Sequence, residues 1–193
     1  MRPDPEFAPI VTERLVLRRS RLDDAEAISA YRSDPDVHRH QGWERTDPES
    51  IRAEIEEMAA RAPGDPEGWV QFSVEDRATG ELVGDVGLAP ADGEPGVIKA
   101  GYTIAPAHQR KGYATEAVAA LLDYAFGRLE ADVVRAYADA DNVASIRVAE
   151  KVGMLLVERF SGREDDGSIW HGVRYELPRS ASRDRLSAAD EER

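Results

Sequence analysis

The sequence of 193 residues contains no cysteine. Disulfide bonds, cysteine-ligated zinc sites and thiol nucleophiles are therefore excluded together. No apolar run approaches the ~20 residues that a membrane-spanning helix needs, and the opening segment 1–5 lacks the apolar core of a signal peptide. We therefore expect a cytoplasmic protein without membrane contacts. No spacing of His, Asp and Glu along the chain indicates a metal site.

Basic residues are outnumbered in this chain. Lysine and arginine total 25 against 38 aspartates and glutamates, and the formal net charge is −13. This charge argues against nucleic acid as the main partner, because phosphates would be repelled at long range. It is compatible with a cationic acceptor drawn to acidic walls, and equally with a surface whose charge only maintains solubility.

Strand-like and helix-like segments follow one another through most of the chain. Strand patterns cover residues 14–18, 69–75, 82–88, 97–104, 133–138, 154–160 and 169–177. Helix patterns cover residues 24–31, 48–60, 116–126 and 142–151. Hairpins in the first half and helices between strands in the second predict a mixed α+β sheet in one domain, residues 1–178. The polar residues 179–193 are predicted to form a mobile tail.

The segment 109–115, Gln-Arg-Lys-Gly-Tyr-Ala-Thr, joins a predicted strand to a predicted helix. Backbone N–H groups and the positive end of the helix dipole meet there, which favours an anion. Arg110 and Lys111 add positive charge, and Gly112 lets a phosphate approach the backbone. The three spaced glycines of a dinucleotide fingerprint and the Gly-Lys-Ser/Thr of a P-loop are absent. Two interpretations of this segment remain open: it binds an anion, or it is the basic beginning of a helix and binds no ligand.

A second segment, 141–154, begins a helix with Asn142 at an N-cap position that suits asparagine. Ser145 lies one turn later on the same face of that helix. Gly153 is placed to end the helix. A cap, a helical serine and a stop signal therefore explain these residues without any ligand.

Taken together, the two segments resemble the GNAT superfamily of N-acetyltransferases, in its RimJ/RimL-like branch. The first fills the pyrophosphate-loop pattern Gln/Arg-x-x-Gly-x-Gly/Ala at Gln109, Gly112 and Ala114. The second matches Asn-x-x-Ser…Glu-Lys-x-Gly-Phe from Asn142 to Met154, where methionine replaces the usual phenylalanine. Weaker similarities extend the likeness over nearly the whole chain to Leu177, at residues 12–18, 33–37 and 79–88.

The resemblance implies about seven mostly antiparallel strands, with a central parallel pair splayed around acetyl-CoA, and about four helices. Backbone groups of Tyr102, Thr103 and Ile104 would pair with the pantetheine arm, and the side-chain amide of Asn142 would hydrogen-bond to it. The acetyl group would pass directly to a protein N-terminal α-amine or a small cationic amine. The pyrophosphate would be held by Gln109, Arg110, Lys111, Gly112, Tyr113, Ala114 and Thr115.

The resemblance also suggests catalytic groups. Ser145, near the thioester sulfur, would be the general acid, because Ala149 stands where many relatives carry a tyrosine. Lys99 replaces a glutamate that relatives in this branch often have, so the obvious carboxylate base is missing. Asp85 on the neighbouring strand and His171 on the last strand remain candidates for the base.

His38, His40 and Trp43 lie in a loop that borders the acceptor pocket in relatives. Trp43 could equally seal the edge of the core. The missing carboxylate keeps a second interpretation open, an acetyl-CoA-binding sensor with little or no transferase activity. The resemblance also admits a homodimer.

Overall fold

An eight-stranded mixed β-sheet organises the computed structural model, which describes residues 1–163 and 168–182. Its strand order is β1-β2-β3-β4-β5-β6-β8-β7, and neighbours in this sheet are antiparallel apart from the parallel pair β5 and β6. In chain order the strands are β1 (Ile10–Val11), β2 (Leu15–Arg19), β3 (Val70–Asp76), β4 (Leu82–Pro90), β5 (Val97–Ile104), β6 (Val133–Asp139), β7 (Leu155–Arg163) and β8 (Ile169–Pro178).

The predicted α+β class, with one central parallel pair, is confirmed. The sequence predicts seven strands, and the additional one is β1. Its two residues are too few to show an alternating pattern. It forms because Ile10 and Val11 pair with the beginning of the hairpin strand β2.

Helices pack on both faces of the sheet. They are α1 (Ala25–Arg32), α2 (Pro35–His38), α3 (Pro48–Ala59), α4 (Tyr113–Gly127) and α5 (Val143–Lys151). The short α2 replaces a predicted break, because Asp34 accepts a hydrogen bond from the Asp36 N–H at 2.9 Å and so caps a new helix. α4 starts at Tyr113 instead of Glu116, since Gly112 is its N-cap residue.

The two faces of the sheet carry different helices and different cores. α4 and α5 cover one face, the α4 face, whose core includes Phe72, Leu121 and Val134. α1 and α3 cover the opposite face, the α1 face, with a smaller cluster around Ile28 and Ile51. Because side chains alternate along a strand, β5 presents residues to both faces in turn.

The packed chain extends past the predicted domain boundary at residue 178. Residues 179–182 form a helical turn, in which Arg179 N–H donates to the Asp132 carbonyl at 2.8 Å and Ser182 is buried. Residues 183–193, the rest of the predicted tail, lie outside the described residues. Among the described residues, no helix combines the length and the apolar character needed to cross a bilayer.

A buried ion pair holds the beginning of α1 against the sheet. Arg18 donates to both carboxylate oxygens of Asp24, at 2.7 and 2.9 Å, and Ser73 donates to the same group at 3.0 Å. Burial opposes ionisation of Asp24, but the hydrogen bonds from Arg18 and the Arg21 N–H outweigh it and lower the pKa of Asp24. The pair therefore positions α1 on the α1 face.

Replacing Asp24 with asparagine should lower the free energy of unfolding by about 3 kcal/mol, because Arg18 loses its main buried partner. Since the pKa of Asp24 is lowered, this stabilisation is complete above the ordinary carboxyl pKa of about 4 and is lost as pH falls through the folded value. Urea unfolding at neutral and acid pH measures both effects. The exposed Asp23→Asn is the control, and equal losses in the two variants would contradict the ion pair's role.

Candidate active site

A 3₁₀ turn, Pro106–His108, and the loop 109–112 connect the end of β5 to α4. Gln109 folds this loop back on the strand, because its side-chain amide donates to the Ile104 carbonyl at 3.0 Å. Gly112 has a φ of 85°, a left-handed conformation that glycine adopts readily. It carries no side chain to cap α4, so no cap side chain accepts from the first N–H groups of the helix. Arg110 and Lys111 are exposed beside them and form no ion pair with any described residue.

Arg14 and Glu116 anchor this loop next to the beginning of β2, and the sequence does not predict these contacts. Arg14 donates to the Lys111 carbonyl at 2.9 Å and to Glu116 at 2.7 Å. Glu116 also accepts from the Thr12 hydroxyl at 2.6 Å. The Tyr113 hydroxyl is turned away to Asp76, at 2.5 Å, so Tyr113 contributes its backbone at the loop and its ring to packing.

A gap opens in the sheet between β5 and β6. Their pairing ends at Ala100 and Ala136, although both strands continue. On the other side of β5, the Ala105 N–H donates to the Val83 carbonyl, so odd-numbered residues of β5 form the hydrogen-bonded pairs with β4. The backbone groups of even-numbered residues, including those at position 102, therefore face the gap.

The positions predicted to pair with a pantetheine arm are thus not equivalent. Tyr102 and Ile104 turn backbone groups toward the gap, whereas Thr103 turns its backbone toward β4. Thr103 instead presents its side chain to the α1 face, where it accepts a hydrogen bond from the Gln41 amide at 3.3 Å.

On the α4 face, the start of α5 lies beside the gap. Asn142 caps this helix, accepting from the Ser145 N–H through Oδ1 at 3.0 Å. Its Nδ2 makes no hydrogen bond to any described residue. The Ser145 hydroxyl donates to the Tyr102 hydroxyl at 2.9 Å, which in turn donates to the Ser145 carbonyl at 2.9 Å. The structure therefore brings Ser145, which Asn142 caps, into contact with the Tyr102 phenol of β5.

On the α1 face lies a cavity of about 390 Å³ whose floor is made by β4 and β5. Glycines open this floor: a Cβ at Gly87 or Gly101 would meet the Trp69 indole at 3.3–3.4 Å. Trp43 forms another wall, with the Arg32 guanidinium 4.6 Å above its ring. Trp43 therefore lines this cavity together with Trp69, which the sequence does not single out.

Charged side chains from α1 and α3 also line the cavity, and most of them are already paired. Arg32 pairs with Glu54 at 2.8 Å, and Arg61 pairs with Glu57 at 2.6 Å. Asp85 on β4 differs, since its oxygens accept from neutral donors, the Tyr31 hydroxyl and the Gln71 amide, the latter at 2.5 Å. Burial raises the pKa of Asp85 above its usual value. Asp85 is therefore a carboxylate of the cavity wall that no cation neutralises directly.

Two consecutive side chains bridge the gap on the α1 face. Gln41 contacts Thr103 of β5, and His40 contacts Asp139 of β6, with Nδ1 2.8 Å from the carboxylate. Arg39 donates to His40 Nε2 at 3.1 Å, so Nδ1 carries the proton that Asp139 accepts. Asp141 also lies near, so three groups that could ligate a metal fall within 4.8 Å of one another, although the sequence predicts none.

Three other positions lie apart from the cavity. His38 is exposed on α2, and His171 is exposed on β8 without a side-chain partner among the described residues. Lys99, which replaces the usual glutamate, pairs with Asp92 at 3.1 Å. Of the candidates for a base, Asp85 alone lines the cavity within the described part of the chain.

Comparison of the sequence with known proteins identifies a family and several relatives. The sequence model of the family described as acetyltransferase (GNAT) domain matches residues 14–155. The uncharacterized N-acetyltransferase p20 of Bacillus licheniformis is 33% identical over 162 residues, 80% of this chain and 89% of the relative. The uncharacterized N-acetyltransferase YoaA of Bacillus subtilis is 34% identical over 148 residues, 76% and 82% of the two chains.

Solved structures show the same fold. A GNAT-family acetyltransferase from Bacillus anthracis has a TM-score of 0.79 at 26% identity, over 90% of this chain and 99% of that one. The ribosomal α-N-protein acetyltransferase RimL, in complex with coenzyme A, has a TM-score of 0.77 at 16% identity, over 90% and 99%.

Fold, site and relatives together define an acetyltransferase. The chain belongs to the GNAT family, as its motifs predict. The likeness to RimL shows the shared fold, and the RimJ/RimL-like branch stays a prediction.

Proposed function

We propose that this acetyltransferase passes the acetyl group of acetyl-CoA directly to a primary amine within a ternary complex. One observation carries the proposal: the gap between β5 and β6 and the cavity on the α1 face meet at residues 101–103 of β5. A donor in the gap and an acceptor in the cavity would therefore come together at one strand segment. Direct transfer needs no covalent enzyme intermediate.

The donor's pyrophosphate would lie at the first turn of α4. The N–H groups there, with the cationic Arg110 and Lys111, supply charge and hydrogen bonds suited to phosphate oxygens. The pantetheine arm would then enter the gap like an added strand and pair with the backbone of Tyr102 and Ile104. Asn142 would donate to the arm from Nδ2, because its Oδ1 already caps α5.

The acceptor would enter the cavity on the α1 face. Two indoles, of Trp43 and Trp69, offer aromatic walls that suit an ammonium group. Asp85 offers a carboxylate without an ion-pair partner among the described residues. A protein N-terminal α-amine and a small cationic amine both have this chemistry. The structural neighbours include proteins named for each kind of acceptor, RimL and a spermidine N-acetyltransferase chimera.

Asp85 is the proposed base. An amine must lose a proton on forming an amide, and a carboxylate whose pKa is raised by burial accepts that proton more readily than an exposed one. Hydrogen bonds from Tyr31 and Gln71 hold the carboxylate in place. His171 is exposed on another part of the sheet and is not part of this proposal.

Release of free CoA thiol from acetyl-CoA in the presence of an amine panel tests the function. The panel holds peptides with different first residues, the same peptides with blocked N-termini, and polyamine and aminoglycoside acceptors. We expect thiol release with at least one free amine and none with its blocked counterpart. Acetyl-CoA binding without release for every amine would support the sensor alternative. No binding at all would contradict the donor site itself.

A further inference from the structure

The Tyr102 side chain links β5 to the first turn of α5 beside the gap. Its hydroxyl accepts from the Ser145 hydroxyl and donates to the Ser145 carbonyl, both at 2.9 Å. The ring stands on the α4 face, with most of its surface covered by neighbouring residues. A phenol is therefore fixed at the edge of the space where the donor's thioester would lie.

The helix that receives this phenol lacks an acid of its own. Ala149, where the resemblance would place a tyrosine, is buried and cannot give a proton. Ser145 lies four residues earlier on the same helix face, one turn away. Tyr102 contacts the helix at Ser145. It thus brings a phenol from β5 to about one turn, or about 5 Å along the helix axis, from position 149.

Ser145 is poorly arranged to be the acid predicted from the motif. Its hydroxyl proton already points to the Tyr102 oxygen. A serine hydroxyl is also a far weaker acid than a phenol, whose ordinary pKa is about 10. The hydrogen bond from Ser145 stabilises a phenolate on Tyr102, which is the support that a proton-donating tyrosine needs.

We propose that Tyr102 is the catalytic acid that protonates the departing thiolate, and that Ser145 is a positioning residue for it. As the C–S bond of the tetrahedral intermediate breaks, its electron pair goes to sulfur. The Tyr102 hydroxyl turns from the Ser145 carbonyl to that sulfur and gives up its proton. The phenolate, held by the Ser145 hydroxyl, regains a proton from water. This assignment rests on the proposed function.

The surroundings of the phenol are consistent with this role. Burial raises the pKa of Tyr102 to about 12, while the hydrogen bond from Ser145 lowers it and nearby Tyr175 raises it. Burial also disfavours a thiolate in the same space, so it raises the pKa of the CoA thiol as well as that of the Tyr102 phenol. Tyr175 itself bonds to Glu150 of α5, at 3.1 Å.

Three variants test the assignment: Tyr102→Phe, Ser145→Ala and the double variant. We expect Tyr102→Phe to lower kcat by about 100-fold with little change in the acetyl-CoA Kd, and Ser145→Ala to lower it less. The double variant should match Tyr102→Phe, because Ser145 acts only through the phenol. Tyr124→Phe is the matched control. It also removes the hydrogen bond of a buried tyrosine hydroxyl, here to Asp4 at 2.9 Å, and it should leave kcat near the wild-type value.

A fluorinated tyrosine at position 102 separates an acid from a packing residue. Fluorination lowers the phenol's pKa, and the acid must be protonated, so the fall of kcat at alkaline pH should begin at lower pH. The assignment would be overturned if Ser145→Ala lowered kcat more than Tyr102→Phe did, or if the two effects on kcat multiplied in the double variant. It would also be overturned if fluorination left the alkaline limb of the kcat profile at the same pH. These outcomes require a wild-type enzyme that turns over, whereas failure of the proposed function would appear as no thiol release from wild type.

Discussion

Replacing Gly112 with aspartate is expected to weaken acetyl-CoA binding by at least about 100-fold, or about 2.7 kcal/mol. An aspartate at the N-cap position would accept hydrogen bonds from the first turn of α4 and so occupy the proposed phosphate site with its own carboxylate. It would also place an L-residue at a φ of 85° and bring a Cβ within 3.2 Å of Arg14 Nη2. Isothermal titration calorimetry with acetyl-CoA measures the change.

Gly93→Asp is the matched control for this substitution. Gly93 also has a positive φ, 70°, but a Cβ there meets nothing within 4 Å. The control therefore repeats the backbone strain and the added charge away from α4, and we expect binding within about 0.5 kcal/mol of wild type. Retained affinity in Gly112→Asp, or an equal loss in both variants, would contradict a pyrophosphate site at this helix.

Replacing Asp85 with asparagine is expected to lower kcat by about 100- to 1000-fold while acetyl-CoA still binds. The amide preserves the shape of the carboxylate but cannot accept a proton from the attacking amine. Because burial raises the pKa of Asp85, the rise of kcat/KM with pH should occur above the pH of about 4 expected for an exposed carboxyl. Steady-state kinetics across pH, with saturating acetyl-CoA, measures both effects.

The hydrogen bond from Tyr31 supplies a sharper test of the same carboxylate. This bond lowers the pKa of Asp85, so Tyr31→Phe should move the acid limb of kcat/KM to higher pH. Asp92→Asn is the control, because Asp92 is an exposed carboxylate that pairs with Lys99 outside the cavity. If Asp85→Asn kept the wild-type kcat, Asp85 would not be the base, although the donor site would stand.

The local structure of the proposed donor site could be predicted because its residues are close in sequence. The loop 109–115 and the first turn of α5 each carry a local signal, a glycine at a helix start and an Asn cap, and the structure has a helix beginning at each. The alternating pattern of 97–104 was also sufficient to define β5. What the pattern could not show is which backbone groups of β5 face the gap, because that depends on the register with β4.

The acceptor side depends on contacts between distant parts of the chain. Trp69 packs on Gly101, and Tyr31 reaches Asp85 from a helix more than 50 residues away. No local pattern marks such pairs, since each residue alone looks like an ordinary core or strand position. The same limit explains why Tyr102 was predicted only for its backbone: its hydroxyl contacts Ser145, 43 residues further along the chain.

Hydrogen exchange of single backbone amides, followed by NMR with and without CoA, tests the central claim most directly. If the pantetheine arm pairs with the gap-facing edge of β5, exchange of the Tyr102 and Ile104 amides should slow strongly on binding. The Thr103 amide, already turned toward β4, should change little. Unchanged exchange at Tyr102 and Ile104 under saturating CoA would contradict a donor site in the gap.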